Sequence, residues 1–176
     1  MKEKPTNEEI LRHTRIESVS CPMVCVKTSK MSQADELLFV DLTTFCDYDE
    51  MIEFCKSYFQ DEEIVIPCAL NFPSEYIEDK SYYQDILQFS DLEEKQKNAI
   101  YTYICYYGVR SVEAILDIFF GTFKNEEEAA KYIVENNLLK HELPDNIKNC
   151  KEYDQVYEYL RDSILIADDF YYLADE

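Results

Sequence analysis

The chain has no tryptophan, two glycines (Gly108 and Gly121), two histidines (His13 and His141) and only 17 lysines and arginines among 176 residues. Each scarcity excludes something. With two isolated glycines there is no phosphate-cradling loop: G-x-x-x-x-G-K-[ST], G-x-G-x-x-G and G-x-S-x-G are all absent. With two distant histidines there is no H-E-x-x-H, and a Ser-His or Cys-His pair has little material. The apolar runs are a few residues long, which excludes a membrane span and a signal peptide. The seven cysteines, at 21, 25, 46, 55, 68, 105 and 150, include no C-x-x-C. Cys21 and Cys25 could ligate a metal but lack partners at zinc spacing. The odd number, mostly beside apolar residues, fits reduced, buried thiols and a cytoplasmic location. No cofactor and no metal is expected.

What is present is apolar material and negative charge. Leu, Ile, Val and Phe number 48 and tyrosine 15, above the level at which acidic chains stay unfolded. The formal net charge is −20, and it is unevenly placed. Residues 1–30 carry six Lys/Arg against four Asp/Glu, whereas residues 31–176 carry 11 against 33. Such a field repels nucleic acid and anionic membranes and attracts basic surfaces, so neither direct nucleic-acid binding nor membrane binding is expected.

The pattern along the chain predicts an α+β fold. Residues 1–20 read as a polar extension with one helical turn around Glu8 to Arg15. "PMVCVKT" (22–28) and "ELLFVDL" (36–42) read as strands joined by a polar loop. Asp47 and Glu50 form a capping-box pattern for a helix whose apolar face is Ile52, Cys55 and Phe59. "EEIVIPCAL" (62–70) is a third strand, interrupted by Pro67, which favours an edge or a strand-end position. "SEYIEDKSYYQDILQF" suggests a short turn and a helix. Asp91 with Glu94 opens another helix bearing Ile100, Tyr103, Ile104 and Tyr107, and Gly108 ends it. Val112, Ile115, Leu116 and Phe119 repeat the helical spacing. Gly121 is read as the left-handed stop of that helix, amid core phenylalanines. Asn125 with Glu128 caps the next helix, and a last one (151–161) carries Tyr153, Val156, Tyr157 and Leu160. "ILIADDFYYL" closes as one or two strands around Asp168 and Asp169.

The acids raise the functional question. Glu126, Glu127 and Glu128 complement a helix dipole, which accounts for their position alone. Asp154, Glu158 and Asp162 fall at i, i+4, i+8, opposite the apolar stripe, where like charges oppose helix stability by roughly 0.2–0.5 kcal/mol per pair. Duplex DNA carries about one charge per 1.7 Å, so the 22 excess charges of residues 31–176 match about 37 Å of duplex, about eleven base pairs. DNA mimicry competes here with the plain reading of a solvated acidic surface. Glu78-Asp79-Lys80, with Asp61 and Glu63 upstream, has the form of a metal-dependent nuclease site, but an acidic nuclease would repel its substrate. Asp47-x-Asp49-Glu50 hints at calcium but lacks the turn glycine of an EF-hand loop. The tyrosine pairs 82–83, 106–107 and 171–172 fit core edges or protein-contact surfaces.

"FFGTFKNEEEAAKYIVE" (119–135) resembles the F/Y-x-G-x-F/Y and S/N-x-E-E-x-A segment of the ArdA-type antirestriction family. "LLFVDLTTFCDYDEMIEFCKSYF" is similar to that family's strand leading into an acidic helix. "EEIVIPCALNFPSEYIEDKSYYQDILQF" is similar to its strand, loop and Ser-Glu-Tyr (Ser74, Glu75, Tyr76). "ELPDNIKNCKEYDQVYEYLRDS" resembles its Pro-containing turn, Tyr-Asp helix start and Arg-Asp pair (Arg161, Asp162). The resemblance runs over about residues 22–172. The chain departs from it in lacking the Asn-Gly turn and the tryptophan of the first strand pair, and in adding residues 1–21.

The resemblance implies an elongated, curved row of small domains. Here these would be an extension (1–21), an N-terminal antiparallel sheet plus helix (22–72), a central helical part (73–108) and C-terminal helices with a short sheet (109–176). It implies a homodimer imitating bent duplex DNA, no catalysis, and a partner with a basic DNA-binding groove. That partner would be a host nuclease or methyltransferase complex of the type I restriction-modification kind. A Cas9-type RNA-guided nuclease, which would make the chain an anti-CRISPR protein, is the alternative within that class. A metal-dependent nuclease and an acidic protein-interaction adaptor are the alternatives outside it. The mimic surface is expected to be distributed over Asp49, Glu50, Glu53, Asp117, Glu126, Glu127, Glu135, Asp154, Glu158 and Asp162.

Overall fold

The computed structural model describes residues 3–15, 20–31, 37–140 and 142–174. His141 and part of the loop between the first two predicted strands lie outside them. The fold is α+β, and the chain divides into two compact units, Met1–Glu93 and Glu94–Glu176. Their boundary falls inside the stretch 73–108 that the sequence reading treats as one central part. The buried hydroxyls show why. Tyr83, on one side, donates to the Leu42 carbonyl at 2.8 Å. Tyr172 donates at 2.6 Å to the carbonyl of Ala99, on the other side.

The first unit is built on a three-stranded antiparallel sheet of order β2-β1-β3, formed by β1 (Met23–Thr28), β2 (Leu38–Asp41) and β3 (Ile64–Leu70). Val24, Val26, Val40 and Leu42 are fully buried. β3 lies at the edge, as Pro67 requires, and the register slips between Cys25 and Lys27 opposite it.

Ahead of the sheet, α1 (Asn7–Thr14) runs for eight residues, longer than the single turn expected. Thr6 and Glu9 close a reciprocal capping box that the sequence reading missed: the Thr6 Oγ1 accepts from the Glu9 N–H at 3.2 Å, and the Glu9 carboxylate accepts from the Thr6 N–H at 2.7 Å. The helix α2 (Tyr48–Phe59) starts at Asp47, whose carboxylate accepts from the Glu50 N–H at 2.8 Å. Its core line is Met51 and Cys55, both fully buried, while Ile52 and Phe59 are half-buried. The flexible Met51 thioether fills the place assigned to the stiffer Ile52. Two 3-10 turns, Ser74–Ile77 and Lys80–Tyr82, lead into α3 (Tyr83–Ser90), which buries Ile86 and Phe89.

The second unit opens with α4 (Glu94–Tyr107), which buries Ala99, Ile100, Tyr103 and Ile104. Asp91 is the C-cap of α3 rather than the N-cap of α4. Gly108, at φ +92°, ends α4 with its N–H on the Ile104 carbonyl at 3.0 Å.

Helix α5 (Val112–Ile118) is shorter than its apolar spacing suggests. Phe119–Thr122 is the strand β4, so Gly121 is not a helix stop. It sits where the register of β4 against its neighbour shifts, at φ +151°, and a Cβ there would stand 3.1 Å from the Phe123 ring. The bulge needs a glycine for the reason a helix stop would: an L side chain is strained there. Phe119, Phe120 and Phe123 are half-buried rather than core.

Beyond β4 come α6 (Glu126–Asn136), a short α7 (Asp145–Lys148) that the sequence reading did not anticipate, and α8 (Tyr153–Leu160). The hairpin of β5 (Ile164–Ala167) and β6 (Phe170–Leu173) turns through Asp168 at φ +50° and completes a sheet of order β4-β6-β5. Ala129, Ala130, Ile133, Leu143, Val156, Leu160, Ile164 and Tyr171 form the core beneath α6 and α8.

Candidate functional site: an acidic surface

All ten carboxylates expected on a mimic surface are exposed. They differ in their company. Asp49 pairs with Lys80 at 3.1 Å, Glu53 with Lys56 at 3.5 Å and Glu135 with Lys131 at 3.8 Å. Glu50 is committed to its own helix start, where its carboxylate accepts from the Cys46 N–H at 2.6 Å. Asp117 lines a hollow that also holds Arg110 and Lys140. Asp162 stands in the 3-10 turn that follows α8.

Four of the ten converge. Glu126, Glu127, Asp154 and Glu158 line one hollow with Gln155 and Tyr157, and no lysine or arginine is among the lining residues. Three local features build it. The Asn125 side chain accepts from the Glu128 N–H at 2.9 Å and starts α6 there, so Glu126 and Glu127 occupy its first turn. Asp154 occupies the first turn of α8, with Glu158 one turn on. Ala129 and Ala130, both fully buried, let α6 approach α8 closely, with Val156 and Leu160 packed in the same cluster.

The first-turn acids stabilise the ends of both helices, which is a structural reason for three of the four. Glu158 has no such reason. The potential is felt by the phenols: burial first, then Glu126, pushes the Tyr157 hydroxyl up, and Arg161 opposes the effect. Tyr171 is pushed up by burial and then by Glu126. Gln155 and Tyr157 belong to the hollow but were not foreseen in it, because Tyr157 reads as part of the apolar stripe of α8.

The other candidates resolve differently. Asp61 pairs with Lys30 at 2.7 Å, and that hydrogen bond holds its carboxyl below the usual range. Glu63 accepts from the Ser29 hydroxyl at 2.5 Å, and Lys80 is held by Asp49. Asp79 spends its carboxylate on the Ser81 N–H at 2.9 Å, starting a 3-10 turn. Among the described residues, no three His, Cys, Asp or Glu side chains are grouped so as to hold a metal ion. The Asp47 region is a helix cap, as its hydrogen bond shows.

His13 is buried, stacked on Phe45 at 4.1 Å, with Nδ1 hydrogen-bonded to the Thr44 hydroxyl at 2.8 Å. The cysteines are all free, but Cys46, Cys68 and Cys105 are exposed, against the expectation of buried thiols. No described helix is long and apolar enough to cross a membrane. Compared with family models, curated proteins and solved structures, the chain has no match in any of the three.

Proposed function

We propose that the chain is an acidic DNA mimic that occupies the DNA-binding groove of a host defence nuclease and so protects a phage or mobile element. The observation that carries the reading is the hollow between α6 and α8, where Glu126, Glu127, Asp154 and Glu158 share one surface with no lining cation. The helix dipoles account for three of these acids one by one, but not for gathering them on one face with Glu158 against their mutual repulsion. A surface that meets lysines and arginines evolved to grip phosphates gains affinity and a faster encounter. The ArdA-type resemblance makes a type I restriction-modification complex the first target. A Cas9-type nuclease, whose duplex channel is also basic, is the second.

The mechanism is electrostatic and needs neither cofactor nor catalysis: carboxylates engage the groove's cations in place of phosphates, and salt weakens the contact. The experiment is competition with labelled duplex DNA on each target complex. Displacement that tracks these four acids supports the reading. Inhibition that depends on Asp61, Glu63, Glu78 and Lys80 instead would transfer it to metal-dependent cleavage. Binding to a target that duplex DNA fails to contest would make the chain a protein-interaction adaptor.

A further inference from the structure

Two cysteines remain outside that reading. Cys25, at the centre of β1, and Cys68, on the edge strand β3, are direct partners across the antiparallel ladder. Partners of this kind project on the same face of a sheet, with Cβ atoms about 4.5–5.5 Å apart. A disulfide asks for Cβ atoms about 3.5–4.5 Å apart, so closure needs only a small local shift. The row continues to Phe39 on β2, the partner of Cys25 on its other side. Cys25 is 4% exposed, whereas Cys68 is open to solvent.

The ladder can yield at this point. Its register slips between Cys25 and Lys27, and Pro67, adjacent to Cys68, has no N–H to give. Burial, and after it the neighbouring Cys68, pushes the pKa of the Cys25 thiol above its usual value. Cys68, the accessible thiol, is therefore the one that reacts first.

We propose that Cys25 and Cys68 form a reversible thiol-modification site, in which a disulfide oxidant of the glutathione class closes a cross-strand disulfide between β1 and β3. The thiolate of Cys68 attacks oxidised glutathione, forming a mixed disulfide and releasing one glutathione thiolate. The Cys25 thiol then gives its proton to solvent and attacks the Cys68 sulfur, expelling the second glutathione. Two protein thiols are oxidised and one glutathione disulfide is reduced to two thiols, so atoms and electrons balance. The product staples the weak edge of the first sheet across its bulge.

The test equilibrates the full chain with oxidised glutathione and compares it with the chain held in excess reductant. With the exposed Cys46 and Cys105 replaced by Ser, the intact mass is expected to fall by two hydrogens, with no glutathione retained on Cys25 or Cys68. Trypsin should release a link between peptides 16–27 and 57–80, the second of which contains Cys68 alone. Because the first holds both Cys21 and Cys25, the link must survive Cys21→Ser and vanish in Cys25→Ser. Cys68→Ser, at an exposed site, keeps the fold and must abolish the link as well. Amide exchange over residues 64–68 should slow on oxidation and recover on reduction. A stable glutathione adduct on Cys68 with Cys25 still a free thiol overturns the proposal, as does a link that persists in Cys25→Ser.

Discussion

Replacing Glu126, Glu127 and Glu158 by Gln and Asp154 by Asn removes four charges from the hollow and keeps its shape. Exposed ion pairs contribute roughly 0.2–1 kcal/mol each, so four contacts with target cations amount to about 1–4 kcal/mol. At about 1.4 kcal/mol per tenfold, inhibition should weaken by between about fivefold and about a thousandfold. The fold should survive. Three first-turn acids are lost, at about 0.3–1 kcal/mol each, but the repulsion between Asp154 and Glu158 is relieved by roughly 0.2–0.5 kcal/mol. The Asn125 cap and the Glu128 carboxylate, which accepts from the Lys124 N–H at 3.3 Å, are untouched.

The assay is an inhibition titration against the target nuclease, paired with a thermal melt. The control is the triple variant Asp49→Asn, Glu53→Gln, Glu135→Gln, whose carboxylates already face lysines and should matter less. Inhibition unchanged by the quadruple variant, or weakened equally by the control, would refute the assignment of the hollow.

Three further outcomes are expected. Tyr172→Phe removes the buried hydroxyl that donates to the Ala99 carbonyl at 2.6 Å; a loss of about 1 kcal/mol should lower the melting temperature by about 2–4 °C, and an unchanged melt would contradict the bond. Gly121→Ala, at φ +151° with the Phe123 ring 3.1 Å from its new Cβ, should destabilise by about 1–2 kcal/mol in urea unfolding, whereas Gly108→Ala meets backbone strain with nothing within 4 Å. Burial, helped by Arg12 and opposed by Glu50, Glu9 and Asp41, holds His13 below its usual value. The unfolded chain therefore binds a proton that the folded chain refuses, so the docking of α1 is fully stable above the ordinary histidine range and weakens as pH falls through it. Protection of the α1 amides, taken relative to the intrinsic exchange rate at each pH, should fall on acidification, and His13→Gln should flatten that dependence.

The sequence was most legible where local chemistry decides. Asp47 and Asn125 mark their helices because a side-chain acceptor meeting an N–H three residues on is a short-range event. Pro67 marks an edge because its missing N–H is a local fact. Errors came where tertiary context overrides pattern. The spacing of Val112, Ile115, Leu116 and Phe119 fits a helix, yet Phe119–Thr122 pairs with β6, about fifty residues away. The core side of α2 could not be chosen between Met51 and Ile52 without the sheet beneath it. For the acidic surface, exposure was legible residue by residue. Convergence was not, because Glu126 and Asp154 meet only through the packing of α6 on α8.

The central claim, that the surface imitates DNA, is tested most directly by displacement. Labelled duplex is bound to a type I restriction-modification complex and, in parallel, to Cas9 with its guide, and the protein is titrated in at two salt concentrations beside poly-glutamate. The account predicts stoichiometric displacement from one of them, weaker at high salt and well beyond that of poly-glutamate. No displacement from either, or displacement no better than poly-glutamate, would contradict it and leave the charge as a solvated surface.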